Sequence, residues 1–153
     1  MRIVGLDLGE RRIGVAISDS TCTLARPAGR LCLVALGDAP QLAASEIVRL
    51  ASEEDGVSSI VVGLPRHLDG SPSAMTARVT AFAAELGRLT RLPVTLQDER
   101  LTSREAESRL AVTEKNWRVR KERLDAAAAA IILQDYLDVR PGRAVPLAAD
   151  SET

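Results

Sequence analysis

The sequence predicts an α/β fold: a five-stranded mixed sheet, three strands in an antiparallel meander and two running parallel to the first, with helices on both faces. Three observations predict it. Residues 2–8 and 11–18 are β-branched and aliphatic runs joined by the tight turn "GERR", the pattern of an antiparallel hairpin. Two later apolar runs, "SSIVVG" and "PVTLQDE", alternate with segments of helical periodicity, and right-handed crossovers set such strands parallel to the first and beside it. The 153 residues, 46% of them hydrophobic, supply one core and too little for two.

A third strand is expected within residues 22–35, completing the meander. The segment "GDAPQLAASEIVRLASEEDG" then carries Ala43, Ile47, Leu50 and Ala51 at helical spacing, with Asp38 as a start signal and Gly56 as a stop. "SSIVVG" is short, apolar and punctuated by Gly63, as a buried parallel strand would be. A second helix follows in "GSPSAMTARVTAFAAELGRL", with Met75, Val79, Phe82, Leu86 and Leu89 on one face and Pro72 suited to its first turn. "PVTLQDE" is the fifth strand, and "TSREAESRL" opens a helix with Thr102 and Glu105 in capping-box spacing. A final helix runs from about Arg120 through "LDAAAAAIILQDYLD". Residues 1–138 form the predicted domain, and residues 139–153 lack periodicity and are expected to be a loose tail.

Composition narrows the function classes. A formal net charge of -1 gives no general attraction to nucleic acid or anionic membranes, so any such attraction must be local. Basic residues are almost all arginine, with Lys115 and Lys121 the only lysines. Arginine suits bidentate phosphate contacts, although genome base composition explains the same bias. If Cys22 and Cys32 lie on one extended strand, they sit roughly 33 Å apart and cannot bridge. No leader-like segment and no apolar run of roughly 20 residues is present. A soluble, reduced, cytoplasmic protein is expected.

The chemistry begins at Asp7, an acid inside the run "IVGLDLGERRIGVAISD" that otherwise reads as a buried strand. A carboxylate in a sheet interior is costly unless a cation, metal or similar partner pairs with it. Asp7 falls at the carboxyl end of the first strand, where chemistry gathers in such sheets. "QDERLTS" brings Asp98 and Glu99 to the same end of the fifth strand, and strand alternation lets only one of them face the site. In "RKERLDAAAAAII", Asp125 opens a small-residue helix that can lie close against the sheet and reach Asp7. Three converging carboxylates would repel one another unless they held a divalent cation on oxygen ligands. Mg²⁺ or Mn²⁺ fits, because histidine and thiolate ligands are lacking and His67, the only histidine, reads as a surface loop residue. A pair of such ions activates water and steadies the leaving oxygen in phosphodiester cleavage. Plainer roles stay open: Asp125 as a carboxylate favoured by the helix dipole, Glu99 as an ion-pair partner of Arg100, Asp19 and Asp98 as turn or supporting acids.

The motifs "GLDLGERRIGVAISD", "VVGLPRHLDGSPS", "DERLTS" and "LDAAAAAIILQDYLD" together resemble the YqgF/RuvX family, described as Holliday junction resolvases with a ribonuclease H-like fold. The likeness reaches to about Asp138 and rests on four motifs in order. Leu31 to Ala39 and the tail after Asp138 match nothing in it. The resemblance implies a metal-dependent nuclease whose acidic residues map onto Asp7, Glu99 and Asp125. It also implies a second role, maturation of the 5′ end of the small-subunit (16S) ribosomal RNA precursor.

Substrate contacts are expected in two places. "KNWRVRKER", residues 115–123, holds five basic residues against one glutamate. Arg118, Arg120, Lys121 and Arg123 would grip phosphates, with Trp117 stacking on an unpaired base or simply packing. A solvated helix face is the plain alternative, and the position just before Asp125 favours contact. "GLPRHLDGSPS" joins a strand to a helix start, where backbone amides, Arg66 and Ser71 would hold a phosphate. Its spacing is not that of a P-loop. Arg100, beside Glu99, is a further nucleic-acid candidate. The substrate would be branched or single-stranded DNA, or precursor ribosomal RNA. A homodimer is expected only if a symmetrical junction is cut. Two rivals stand: a non-catalytic RNA-binding ribosome-assembly factor, and a domain of the actin-like and sugar-kinase ATPases, whose phosphate-binding hairpin resembles "GLDLGERRIGVA".

Overall fold

The computed structural model describes residues 1–65, 69–98 and 117–139, with the backbone alone for Leu36 and for residues 117–125. Strands β1 (Arg2–Leu8), β2 (Arg12–Ser18) and β3 (Ala25–Cys32) come first. A 3-10 turn (Leu36–Asp38) leads into α1 (Ala39–Ala51), then β4 (Val57–Leu64), α2 (Ala74–Thr90) and β5 (Val94–Asp98). Helix α3 (Trp117–Val139) closes the described chain. The sheet order is β3-β2-β1-β4-β5, antiparallel through the first three strands and parallel from β1 to β4 and β5. The expected meander with two parallel strands is therefore present, and β1 lies at its centre.

Alternation along β1 and β2 divides the interior into two layers. Val4, Leu6 and Leu8 of β1 and Ile13, Val15 and Ile17 of β2 join Ile47, Leu50, Phe82 and Leu86 in a cluster beneath α1 and α2. Ile3 and Ala16 point the other way and meet Ala129, Ile132, Leu133 and Leu137 of α3. The run of alanines at 126–130 lets α3 sit low, and Gly5 marks the closest approach. A methyl group at Gly5 would lie 2.7 Å from Leu133 Cβ and 3.2 Å from the Ala129 carbonyl oxygen. Gln134 ties the same helix to the sheet edge, accepting from the Ala25 amide (2.8 Å) and donating to the Thr23 carbonyl (3.0 Å). At the start of β1, the buried Arg2 guanidinium donates to the carbonyls of Leu50 (3.0 Å) and Gly56 (3.2 Å) and to Glu53 Oε1 (2.9 Å), closing the end of α1.

Several boundaries differ from expectation. Asp38 occupies the N-cap position of α1, but its side chain makes no capping bond, and α1 stops at Ala51, ahead of Gly56. Gly56 instead ends a turn in the left-handed region (φ 63°), its amide bonded to the Glu53 carbonyl. Pro72 precedes α2 rather than filling its first turn, because extended Ser73 is the N-cap and its amide donates to Thr76 Oγ1 (2.8 Å). That hydroxyl in turn donates to the Pro65 carbonyl (2.6 Å), pinning α2 to the end of β4. Leu89 lies outside the buried stripe of α2, which runs through Val79, Phe82, Ala83 and Leu86. Helix α3 begins at Trp117, three residues before the expected Arg120. Cys22 is not on a strand with Cys32: it sits in a turn at φ 58°, and both thiols are free. The helix expected to open at Thr102 and Glu105, the loop residue His67, and the tail from Arg140 onward lie outside the described residues.

Candidate nuclease site

Asp7 is the penultimate residue of β1, half-buried, with Gly14 of β2 opposite it. Its face follows from alternation: Ile3 and Gly5, of the same parity, meet α3. The expected cost of a carboxylate here is thus moderated by its place at the end of the strand, where the sheet opens beyond Leu8. Because β1, β4 and β5 run parallel, their carboxyl ends share one edge.

On β5, Asp98 pairs with Leu64, in the same row parity as Val94 and Leu96, which pack on the cluster beneath α1 and α2. Asp98 is therefore on the face away from Asp7. On α3, position 125 lies one turn before Ala129, the residue that meets Gly5. The helix runs antiparallel to β1, since Gln134 reaches Thr23 and Ala25 at the end of the sheet where β1 starts. Its early turns therefore lie toward the Asp7 end. The side chains of Trp117, Arg118, Arg120, Lys121, Arg123 and Asp125, and all of Arg66, Glu99 and Arg100, lie outside the described residues. Among the described residues, no group of three or more His, Cys, Asp and Glu side chains gathers to hold a metal ion. Ser71 is exposed, and both its amide (2.9 Å) and its hydroxyl (2.7 Å) donate to Asp69 Oδ1, so an acid occupies the loop expected to meet phosphate.

Asp19 is a turn acid, as expected. It accepts from Thr21 Oγ1 (2.6 Å) and the amides of Thr23 (2.8 Å) and Leu24 (3.1 Å), and these bonds, led by the Thr21 hydroxyl, lower its pKa. An apolar groove of about 380 Å³ lined by Leu8, Pro40, Ala81 and Phe82 opens on the opposite side of the sheet from Asp7. Sequence reasoning missed Arg12 and Arg30. The register pairs Gly14 with Arg30, which puts Arg30 in the same cross-strand row as Asp7, and Arg12 shares Gly14's parity. Arg12 was legible from parity once the hairpin register was set, whereas Arg30 was hidden by the unmarked boundaries of β3.

Comparison with known proteins agrees with this geometry. The family model described as "RuvX: Holliday junction resolvase" matches residues 1–139. Relatives named "Putative pre-16S rRNA nuclease" include one from Anaeromyxobacter sp., 44% identical over 92% of this chain and 98% of its own. Another, from Pelotomaculum thermopropionicum, is 41% identical over 90% of this chain and 87% of its own. Among solved structures, Thermus thermophilus RuvC superposes with a TM-score of 0.54 at 14% identity, covering 96% of this chain and all of that one. RuvC from T. thermophilus in complex with a Holliday junction substrate gives 0.53 at 16% identity, over 96% and 99%. These likenesses bear out the ribonuclease H-like fold.

Proposed function

The chain belongs to the RuvX family of Holliday junction resolvases, and from that premise we propose that it is a divalent-metal-dependent nuclease with Asp7, Glu99 and Asp125 as its metal ligands. The observation that carries the site is the contact at Gly5, where α3 lies close enough to β1 that a single methyl group would collide with Leu133. An approach that close favours a short span between Asp7 and position 125. The register of β5 supports Glu99 over Asp98, because Asp98 shares the parity of Leu96 and successive strand residues alternate.

The donor set fits Mg²⁺ or Mn²⁺, being made of carboxylate oxygens at the carboxyl end of a parallel edge. Bound as a pair, such ions would supply an activated water and steady the leaving oxygen at the scissile phosphate. Asp7, on the strand bonded on both sides, would be the fixed ligand, and Glu99 and Asp125 would complete the coordination. Arg66 and Arg100 would hold the backbone at the loops, and Arg118, Arg120, Lys121 and Arg123 along the first turns of α3, with Trp117 available to stack on an unpaired base. Ser71, its donors taken by Asp69, would join them only if that acid swung away. No helix among the described residues is long and apolar enough to cross a membrane, which suits work on nucleic acid in the cytoplasm.

The relatives' names favour a ribosomal RNA precursor as substrate, and the family description favours a four-way junction, for which two copies of the chain would act together. A cleavage panel of junction DNA, single-stranded DNA and the 5′ region of the 16S precursor, with Mg²⁺ or Mn²⁺, tests both. Asp7→Asn should lower cleavage by at least about 100-fold, the equivalent of roughly 3 kcal/mol in the transition state, while leaving nucleic-acid binding intact. Cleavage undiminished in Asp7→Asn would overturn the assignment of Asp7, and cleavage absent from the unaltered protein on every substrate would favour a non-catalytic RNA-binding assembly factor.

A further inference from the structure

The sheet face that carries Asp7 continues onto β2 and β3, and there it is basic. Asp7 pairs with Gly14 and Gly14 with Arg30, so an acid and a guanidinium flank a residue without a side chain, about 10 Å apart between Cα atoms across two strand spacings. Arg12, two residues from Gly14 and opposite Cys32, has the same parity and borders this row. Packing fixes that parity independently: Ile13, Val15, Ile17 and Leu31 enter the cluster beneath α1 and α2, whereas Ala16 and Ala25 pack with α3. Both arginines are half-buried, a state in which the aliphatic stem lies along the protein and the charged head stays accessible. Each already takes part in an interaction within the chain. A guanidinium has five donors in a fixed fork, enough to keep such an interaction and still meet a phosphate in bidentate fashion.

We propose that Arg12 and Arg30 bind the phosphodiester backbone of the nucleic acid on the β2–β3 side of the site, with Gly14 as the floor between them and Asp7. The proposal rests on the nuclease reading and extends it, since it assigns to the meander a share of substrate binding otherwise left to Arg66, Arg100 and the basic stretch at 115–123. On a protein of net charge -1, a local pair of arginines in and beside the row of Asp7 gives the backbone a second attachment beside the metal ligands.

The test measures binding separately from cleavage. In the Asp7→Asn background, a fluorescein-labelled four-way DNA junction and a labelled single-stranded RNA are titrated between 50 and 200 mM salt. Arg12→Gln with Arg30→Gln should weaken binding by about 10-fold and flatten the dependence of log K on log salt by about 1–2 units, as the loss of one or two phosphate contacts requires. Arg26→Gln removes one such charge from β3, the strand of Arg30, at a position paired with Ile17, on the other face, and should leave the slope unchanged. Equal affinities and slopes in all three proteins would overturn the proposal. If the double variant does not fold, protection of Arg12 and Arg30 from phenylglyoxal by bound junction or RNA, read by mass spectrometry on the unaltered chain, supports it, and modification at the free-protein rate overturns it. Failure of the nuclease reading would appear elsewhere, as no metal-dependent cleavage by the unaltered protein, or as cleavage that survives Asp7→Asn.

Discussion

Gly5→Ala is the sharpest perturbation of the geometry that assembles the candidate site. The added methyl would stand 2.7 Å from Leu133 Cβ and 3.2 Å from the Ala129 carbonyl oxygen, whereas carbon atoms pack at about 3.5–4.0 Å. Neither contact is with the end of a long side chain that could swing away, so α3 must retreat by about 1 Å. Overpacking of this kind costs about 1–3 kcal/mol. The loss of glycine's freedom in the unfolded chain returns about 0.4–1 kcal/mol, because Gly5 does not hold a positive φ. The expected net loss is about 1–2 kcal/mol, or about 2–8 °C in Tm for a domain of this size. The second consequence is positional: a retreating helix carries position 125 away from Asp7, so the Mn²⁺ concentration for half-maximal cleavage should rise. Leu133→Ala provides the contrast, since it opens a cavity costing about 2–5 kcal/mol but pushes nothing apart. It should melt earlier than Gly5→Ala and yet keep the metal requirement of the unaltered protein. A Gly5→Ala protein that melts no earlier, and cleaves at the same Mn²⁺ concentration as the parent, would refute the close-packing reasoning.

Two further outcomes follow from the supporting structure. Arg2→Met keeps the volume of the stem but strips the donors from the Leu50 and Gly56 carbonyls and from Glu53, and should lower stability by about 2–3 kcal/mol in urea denaturation. Asp19 has a folded-state pKa below its ordinary value, chiefly through the Thr21 hydroxyl, so it binds protons less readily folded than unfolded. Its stabilising contribution is complete above the ordinary aspartate range and is lost as pH falls through the lowered folded value. Thermal melts of Asp19→Asn should therefore fall below those of the parent at neutral pH, with the gap closing in acid.

Much of this architecture was legible in the sequence because single patterns decided it. The hairpin of β1 and β2 was visible in two largely aliphatic runs about a tight turn, and the parallel strands in short apolar segments between helical ones. Asp7 was visible because it is the only acid in the run of residues 2–8. The start of α3 was hidden, since residues 117–123 carry no apolar stripe to mark a helix and the pattern begins only near Leu124. The exposure of Leu89 was hidden by a stripe that drifts: Ala83, not a large residue, fills one of the places facing the core. Arg30 was hidden by β3 itself, where Pro27, Gly29 at φ 131° and a register shift between Val15 and Ala16 erase any alternation. Only the pairing partner reveals which way that strand turns its side chains.

The central place of β1 has a consequence for how such an enzyme could be tuned. Its backbone is laddered through Leu6 to an antiparallel neighbour on one side and a parallel one on the other, so Asp7, paired with Gly14, follows directly on a residue held by two sets of bonds. Amide exchange at Leu6 should accordingly be among the slowest in the chain. Variation in metal preference or in the shape of the nucleic acid accepted must then come from the segments brought up to this strand, and the strand itself serves as the datum from which they are measured.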